Sequence, residues 1–320
     1  MSVLRSLISS DSPRNPKVLV FRLISWLLPP SAVNSLRKRY YGTLLSHMPL
    51  NWIEDDAKIF RRFVRPGDCV LDIGASLGVF SRYLANLVSP SGRVYAFEPV
   101  PLTYSFLTHN LRVLGLKNVE TFPYALGATA EGVTMVVPLY PWGEECWYDA
   151  QVKGSKPTPL KRKFREVKVE TRTLDSFDLP KISFIKCDAN YHELWVLRGE
   201  LRTIRRDRPA MWIEVNPNPD VPGTTANEVF QLLAREGYSP YLLIDGDLRL
   251  RQAGQRRKPA SIAAENYFFL RPEHLDANRY SEFCDQNSGD SRLTGTLPVS
   301  AEDQQNLSRK DQNRTAAPQP

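Results

Sequence analysis

One stretch of the chain restricts the possible folds more than any other. Residues 70–81, VLDIGASLGVFS, read as a short apolar strand, a glycine-containing turn and the start of a helix. Gly74 and Gly78 permit positive φ and let a ligand approach the main chain without a β-carbon in the way. The N–H groups at the start of the following helix favour a carboxylate or a phosphate. The stretch therefore predicts the ligand-binding strand–turn–helix unit of an α/β protein.

The same alternation of strand and helix continues along the chain. The predicted strands share near-continuous apolar sequence, as expected for strands covered on both faces: Cys69–Ile73, Arg93–Phe97, Val119–Pro123, Ser183–Cys187 and Met211–Val215. Helical patterns cover residues 78–88, 102–114, 194–205 and 227–236. This rhythm predicts a doubly wound, mostly parallel sheet of seven strands. An Asp-Gly turn at residues 245–247 predicts a hairpin, so we expect an antiparallel C-terminal edge.

Composition divides the chain into three parts. Residues 1–60 are predicted to form a basic, helical extension, and residues 61–275 the α/β domain. Residues 138–168 are rich in proline, tryptophan and lysine, and are predicted to be an insertion or long hairpin. Residues 285–320 hold few aliphatic and no aromatic side chains. Such a segment cannot offset its ordering entropy, so a disordered tail is predicted.

The net charge of +7 is concentrated at the N-terminus. Residues 1–65 hold 11 basic and 4 acidic side chains, a difference of 11 − 4 = +7, so the remainder is neutral. The apolar run at residues 18–28 is shorter than the about 20 residues that span a bilayer. Two interpretations stay open: peripheral contact with an anionic membrane surface, or a helix packed on the main domain. A neutral core argues against a nucleic-acid substrate.

The cysteines indicate the compartment. Cys69, Cys146, Cys187 and Cys284 are widely spaced and form no CxxC pair. This spacing matches neither a zinc site nor a disulfide framework. A reducing, cytoplasmic environment is therefore expected.

An acidic residue closes the second predicted strand. Glu98 follows Asp72 by 26 residues and lies in the sequence AFEP, residues 96–99. A carboxylate at this place can accept hydrogen bonds from both ribose hydroxyls of an adenosine cofactor. A nicotinamide site usually has G-x-G-x-x-G, whereas this chain has G-x-x-x-G. That pattern resembles motif I of class I methyltransferases, in which the turn faces the amino-acid half of S-adenosylmethionine; a glycine turn without a ligand is the alternative.

A longer resemblance lies in residues 184–199, FIKCDANYHELWVLRG. They resemble the FkbM-type methyltransferases, whose pattern is close to F-I-K-x-D-V-E-G-x-E-x-x-V-L-x-G. The segments DIGASLGVFS, FEP, YALG and RPAMWIEV are also similar, so the resemblance covers about residues 65–272. It implies a Rossmann-like methyltransferase fold, S-adenosylmethionine as cofactor, and a hydroxyl acceptor on a sugar, a glycan or a secondary metabolite. The cofactor-binding residues it implies are Asp72, Gly74, Ala75, Ser76, Gly78, Glu98, Pro99 and Ala125.

The chain departs from this family pattern at one place. Where the family has Val-Glu-Gly, this chain has Ala189-Asn190-Tyr191. If the family's glutamate acts as a base or a ligand, that role is weakened or moved here. The alternative function is therefore a catalytically impaired protein that keeps the fold as a binding or scaffold module.

Three residues are candidates for catalysis: Asp188, His192 and Glu214. Methyl transfer from a sulfonium needs mainly alignment of the acceptor oxygen and removal of its proton. Asp188 is predicted to act near the methyl group or the cofactor amine, with capping of the next helix as the alternative. His192 suits a proton acceptor, or a surface hydrogen bond. Glu214 faces the pocket or stabilises a loop.

Two further expectations concern the surroundings of the site. Asp188, Glu214 and Asn216 offer the oxygen ligands that Mg²⁺ accepts, but strand-end carboxylates are common without metals, so no metal is predicted. In the insertion, Trp142, Trp147 and Tyr148 precede a run of lysines and arginines. The run is interpreted as a solvated loop with two tryptophans packed underneath, with an acceptor lid or RNA binding as alternatives.

Overall fold

A computed structural model describes residues 26–50, 52–140, 145–146, 149–155, 163–216, 219–255, 257 and 265–275. The predicted tail at residues 285–320 and most of the apolar run at residues 18–28 lie outside these residues. Predictions made for those segments stay predictions.

The strands within the described residues number thirteen. The N-terminal half contributes β1 (Cys69–Ile73), β2 (Arg93–Phe97), β3 (Val119–Phe122), β4 (Ala125–Leu126), β5 (Val133–Pro138) and β6 (Gln151–Val152). The C-terminal half contributes β7 (Phe164–Val169), β8 (Thr171–Arg172), β9 (Ile182–Cys187), β10 (Ala210–Val215), β11 (Ser239–Ile244), β12 (Asp247–Leu250) and β13 (Glu265–Leu270).

Helices cover the sheet and connect its strands. They are α1 (Pro30–His47), α2 (Val79–Val88), α3 (Pro101–Val113), α4 (Glu193–Arg198), α5 (Leu201–Asp207) and α6 (Thr225–Arg235), with a 3₁₀ helix at Asp55–Arg62. The sequence pattern predicted one helix over residues 194–205, and this is wrong. The chain instead ends α4 at Gly199, where a β-carbon would stand 2.0 Å from the main-chain oxygen of Gly127. This close approach turns the chain before α5 begins.

The central sheet has the order β12-β11-β13-β10-β9-β1-β2-β3. Pairing is parallel from β10 to β3 and antiparallel among β10, β13, β11 and β12. The doubly wound class and the antiparallel C-terminal edge are thus confirmed. The sheet has eight strands rather than the predicted seven. The predicted Asp-Gly hairpin is present, since the turn at Asp245 and Gly246 folds β12 back onto β11. Both residues have the positive φ that such a tight turn requires.

Apolar side chains alternate between the two faces of the sheet. Leu71, Ile185 and Ile213 face one layer, in which Val229 and Leu233 of α6 are buried. Their neighbours in sequence face the opposite layer, as Val70, Phe184 and Trp212 pack with Leu84 and Val88 of α2. Burial on both faces explains the continuous apolar runs in the sequence. It also leaves the strand ends as the place where polar side chains gather.

The N-terminal residues of the described chain pack against the domain. Phe60, at the predicted boundary of the extension, is fully buried, with its ring centroid 4.7 Å from that of Phe184. On α1, the ring of Tyr41 lies 5.5 Å from Phe106 of α3. Trp26, by contrast, is 81% exposed. The part of the chain that the structure describes contains no helix long and apolar enough to cross a membrane.

The insertion is built on a hairpin. Strands β5 and β7 pair antiparallel along their whole length, and β6 adds to the other edge of β5. Strands β4 and β8 form a separate two-stranded parallel pair. The hairpin begins at Val133 and ends at Val169, so its regular part reaches beyond the predicted bounds of 138 and 168 at both ends.

Candidate active site

The glycine turn after β1 is held by the neighbouring strand ends. The N–H groups of Gly74 and Ala75 donate to the Phe97 carbonyl at 3.0 and 2.9 Å. Gly74 has φ +74°, and a β-carbon on it would stand 2.0 Å from the main-chain oxygen of Asp188. Both the conformation and the contact require glycine. The turn therefore joins the ends of β1, β2 and β9 at one edge of the sheet.

Glu98 points at this turn. Its Oε2 accepts the Ser76 N–H at 3.0 Å and its Oε1 accepts the Val100 N–H at 2.9 Å. The side chain is buried, and burial raises the pKa of the carboxyl to about 7, although the two N–H groups and Lys186 act in the opposite direction. An ionised carboxylate has about four acceptor positions, so two remain for a ligand. Adjacent Pro99 is half-buried.

Asp72 has no exposed surface. Its Oδ2 accepts a hydrogen bond from Ser81 Oγ at 2.6 Å, and its Oδ1 lies 3.1 Å from Lys186 Nζ. The structure thus places Asp72 beneath the turn, where it contacts α2 and β9. Gly78, the N-cap of α2, has φ +88° and packs closely on Leu107. The Asp72–Ser81 hydrogen bond and the conformation of Gly78 together fix where α2 begins.

Ala125 lies apart from the main sheet, in β4. Its N–H donates to the Glu170 carbonyl, and its side chain packs in a small apolar cluster with Val100 and Val137. Because Val100 donates to Glu98, this cluster supports the Glu98 side of the site. The structure joins Gly74 and Ala75 to Phe97 and Ser76 to Glu98, whereas Ala125 is linked to Glu98 through Val100.

Lys186 matches the lysine of the F-I-K pattern but was not named as a candidate site residue from the sequence. Its ammonium donates to the carbonyls of Ile73 and Gly74 at 3.0 and 2.8 Å, and pairs with Asp72. The side chain is 1% exposed. Burial lowers its pKa, but Asp72 and Asp188 outweigh that effect and raise it, so Lys186 stays charged. A lysine within the apolar run of β9 was the available signal, since a buried ammonium requires partners.

Asp188 follows β9 directly. Its N–H donates to the Ile73 carbonyl at 3.1 Å, and its Oδ1 is buried without a hydrogen-bond partner among the described residues. Helix α4 begins at Glu193, with His192 as its N-cap, so the alternative role of Asp188 as the helix cap is wrong. An acceptor oxygen without a donor is costly unless a ligand supplies one.

His192 faces the insertion. Its Nδ1 lies 3.4 Å from Ser155 Oγ, and its ring stacks on Trp195 at 5.1 Å between centroids. Burial lowers the pKa of the imidazole to about 4, so it is neutral at physiological pH. With this pKa the ring is a weak proton acceptor. The Ser155 contact shows that the insertion reaches the end of β9.

Glu214 lies near the end of β10 and is half-buried. Its Oε2 accepts from Asn216 Nδ2 at 3.4 Å. Burial raises the pKa of the Tyr191 phenol, and the charges of Glu214, Glu193 and Asp149 raise it further. Tyr191 therefore lies between the end of β10 and the insertion. The described residues contain no cluster of histidine, cysteine, aspartate and glutamate arranged to hold a metal.

The family model "Methyltransferase FkbM domain" matches residues 72–240, which is just over half of the chain. The chain belongs to the FkbM methyltransferase family. The matched range begins at Asp72 and includes the glycine turn, Glu98, Asp188 and Glu214. It also includes the whole insertion.

Individual relatives are matched over shorter stretches. The "31-O-demethyl-FK506 methyltransferase FkbM" of Streptomyces tacrolimicus is 45% identical over 15% of this chain and 18% of its own length. "Methyltransferase 1" of Beauveria bassiana is 26% identical over 41% of this chain and 57% of its own. A "Protein-L-isoaspartate O-methyltransferase" of Aeropyrum pernix is 46% identical over 24% and 28%. The chain thus spans less than two thirds of each of these relatives.

A solved structure, "Methyltransferase FkbM from Methylobacillus flagellatus KT", is similar with a TM-score of 0.41 and 15% identity. The similarity covers 75% of this chain and 60% of that one.

The departure from the FkbM pattern has a structural consequence. Tyr191 stands where the family pattern has a glycine and adopts a left-handed conformation, with φ +75°, as does Asn190 with φ +48°. The Tyr191 N–H donates to Glu193 Oε1 at 3.0 Å. Burial raises the pKa of Glu193 to about 8. Glu193 thus supports this loop.

The aromatic and basic part of the insertion, for which an acceptor lid is one interpretation, is described only in part. Trp142, Trp147 and Tyr148 lie outside the described residues. Two basic residues of the insertion pair within it, Lys153 with Glu166 at 2.8 Å and Arg165 with Glu145 at 2.6 Å. Whether the insertion holds an acceptor stays a prediction.

Proposed function

We propose that this chain transfers a methyl group from S-adenosylmethionine to a hydroxyl of a small molecule, a sugar or a glycan. The observation that carries the proposal is the hydrogen bond from Ser76 to Glu98, which holds a ribose-binding carboxylate against the glycine turn. An adenosine cofactor requires these two parts side by side. The orphaned Oδ1 of Asp188 fits the same ligand, since the cofactor amine or an acceptor hydroxyl would supply its missing donor.

The residues of the site would have different roles. Glu98 would hold the ribose, and the turn at Gly74 would leave room for the amino-acid half. S-Adenosylmethionine supplies a methyl group already activated on a sulfonium. What the chain must add is alignment of the acceptor oxygen and exclusion of water.

Proton removal is the remaining step, and Asp188 is the best placed residue for it. Its free carboxylate oxygen can accept the hydroxyl proton as the oxygen attacks the methyl carbon. His192, with a pKa of about 4 and its Nδ1 directed at Ser155, is less suited. Glu214 would orient the acceptor, because it lies beside Tyr191 at the end of the next strand.

The names of two relatives support transfer to oxygen. One is described as acting on 31-O-demethyl-FK506, and another as an L-isoaspartate O-methyltransferase. The first suggests a hydroxyl of a metabolite and the second a carboxyl group. We favour a hydroxyl because, besides burial, the charges of Glu214 and Asp149 already raise the pKa of the Tyr191 phenol, which places acidic groups near it. A further carboxylate there would be repelled.

A second candidate function is a binding protein without turnover. The observation that favours it is the replacement of the family's Glu-Gly by Asn190-Tyr191. An amide cannot act as a base, and the aromatic ring takes up space that a glycine leaves open. Cofactor binding would persist in such a protein.

Product formation separates the two functions. The full chain is incubated with S-adenosylmethionine and panels of polyols, glycosides and phenols, and S-adenosylhomocysteine is measured. Acceptor-dependent product that falls at least about 100-fold in Asp188→Asn supports the enzyme. Asp245→Asn is the control, because that carboxylate is 85% exposed on the β11–β12 turn. Cofactor binding without product on every acceptor supports the binding protein.

A further inference from the structure

Lys186 holds the glycine turn through two hydrogen bonds and one ion pair. Its ammonium donates to the carbonyls of Ile73 and Gly74 and lies 3.1 Å from Oδ1 of Asp72. The last residue of β1 and the first residue of the turn are thus both held from β9.

Burying the ion pair of Lys186 and Asp72 has a high cost in free energy of desolvation. Lys186 and Asp72 are 1% and 0% exposed, and taking two charges out of water costs several kcal/mol per ion before their attraction repays it. Phe184, two residues earlier on the same face of β9, is an apolar side chain and packs in the core at 0% exposure. Packing alone therefore does not require a lysine here.

The two hydrogen bonds of Lys186 fix the orientation of the glycine turn. Because the carbonyls of Ile73 and Gly74 accept from Lys186, both carbonyls point toward β9. The turn is then bound from two directions, since the N–H groups of Gly74 and Ala75 donate to Phe97 of β2. A turn held on both sides keeps its shape without a ligand.

We propose that Lys186 is a positioning residue of the cofactor site: it holds the Gly74 turn in the shape that receives the amino-acid half of the cofactor. The inference rests on the proposed function. Lys186 would act through the main chain of the turn and would not itself need to touch the ligand. The purely structural alternative is that the pair only stabilises the fold.

A pair of double variants distinguishes positioning from stability. Lys186→Met alone would leave the buried Asp72 charge uncompensated and destabilise the fold. The double variant Lys186→Met with Asp72→Asn replaces both charged side chains by neutral ones of similar size, so the protein is expected to fold. The Gly74 carbonyl nevertheless loses its donor, and the Ile73 carbonyl keeps only the N–H of Asp188. Lys186→Gln with Asp72→Asn keeps an amide donor at the same place.

Binding of S-adenosylhomocysteine is measured by calorimetry, beside the free energy of unfolding in urea. The Met/Asn variant is expected to keep wild-type stability and to bind at least about tenfold more weakly, with the Gln/Asn variant between it and the wild type. Lys181→Met, an exposed lysine just before β9, is the control and should bind normally.

Three results have different meanings. Wild-type affinity in a folded Met/Asn variant would overturn the inference and leave the proposed function intact. Failure of both double variants to fold would also overturn it, because the pair would then serve the fold. Absence of binding by the wild-type chain would instead contradict the proposed function.

Discussion

The main-chain oxygen of Asp188 lies where a side chain on Gly74 would have to stand, 2.0 Å from an ideal β-carbon. The cofactor turn and the candidate catalytic residue are therefore in direct main-chain contact. The two residues are 114 positions apart in sequence, and the parallel pairing of β1 with β9 brings them together.

This contact predicts that Gly74→Ala is more damaging than an ordinary substitution of a glycine with positive φ. Gly115, with φ +67° and no atom near its would-be β-carbon, is the matched control. Both substitutions carry the cost of a left-handed alanine, about 1 kcal/mol, but only Gly74→Ala also displaces Asp188. We expect a difference in unfolding free energy of at least about 2 kcal/mol in urea titrations. Equal losses would show that the two loops can separate without cost.

Cofactor binding should depend on pH through Glu98. Burial raises the pKa of this carboxyl to about 7, and the ionised form is the better acceptor for ribose hydroxyls. Affinity for S-adenosylhomocysteine should therefore increase about tenfold from pH 6 to pH 8. In Glu98→Gln the affinity should be lower, and it should not increase through this ionisation. Any remaining pH dependence should come only from titration of the ligand. The same pH dependence in both proteins would contradict the role of Glu98.

Stability should decrease as pH rises because of Glu200. The residue is 0% exposed, both carboxyl oxygens lack a partner among the described residues, and burial, with a smaller effect of Asp175, raises its pKa to about 8. Between the ordinary pKa of 4.5 and 8, the folded state binds more protons than the unfolded state, so stability is lost as pH rises.

The corresponding measurement is urea unfolding at pH 6 and pH 8.5. Wild-type protein should lose about 2 kcal/mol through Glu200 over this interval, and Glu200→Gln should lose that much less. Glu193, with a pKa raised to about 8, acts in the same direction and remains in the variant. A wild-type stability that increases toward pH 8.5 would be incompatible with these buried carboxyls.

The left-handed conformation of Tyr191 predicts which of two variants is the more stable. Tyr191→Gly and Tyr191→Ala both remove the ring, but only glycine accepts φ +75° without strain. The glycine variant should be about 1 kcal/mol more stable than the alanine variant. An alanine variant of equal or greater stability would show that the loop relaxes to another conformation.

The strands of the sheet were predicted closely from sequence, for a physical reason. Strands β1 and β2 match their predicted bounds, because burial on both faces leaves a continuous apolar run with sharp ends. The helix over residues 194–205 was predicted as continuous, since the approach of Gly199 to Gly127 is a tertiary contact without a local signal. The hairpin of β11 and β12 was predicted from its local Asp-Gly turn, whereas the place of β13 between β10 and β11 depends on long-range pairing without a local signal.

The site was predictable where a motif is local and not where it is a long-range contact. The turn and Glu98 follow from spacing along the chain. The partnership of Lys186 with Asp72 joins two strands distant in sequence, and the burial of His192 depends on Ser155 in the insertion. The substitution of Tyr191 for glycine was visible in the sequence, but the left-handed conformation of Tyr191 was not.

Titration of the full chain with S-adenosylhomocysteine in a calorimeter tests the central claim most directly. We predict saturable binding at one site, with the heat of binding lost in Glu98→Ala and retained in Asp245→Asn. No binding at millimolar ligand, or equal binding by Glu98→Ala, would contradict the assignment of this turn and its carboxylate as the cofactor site.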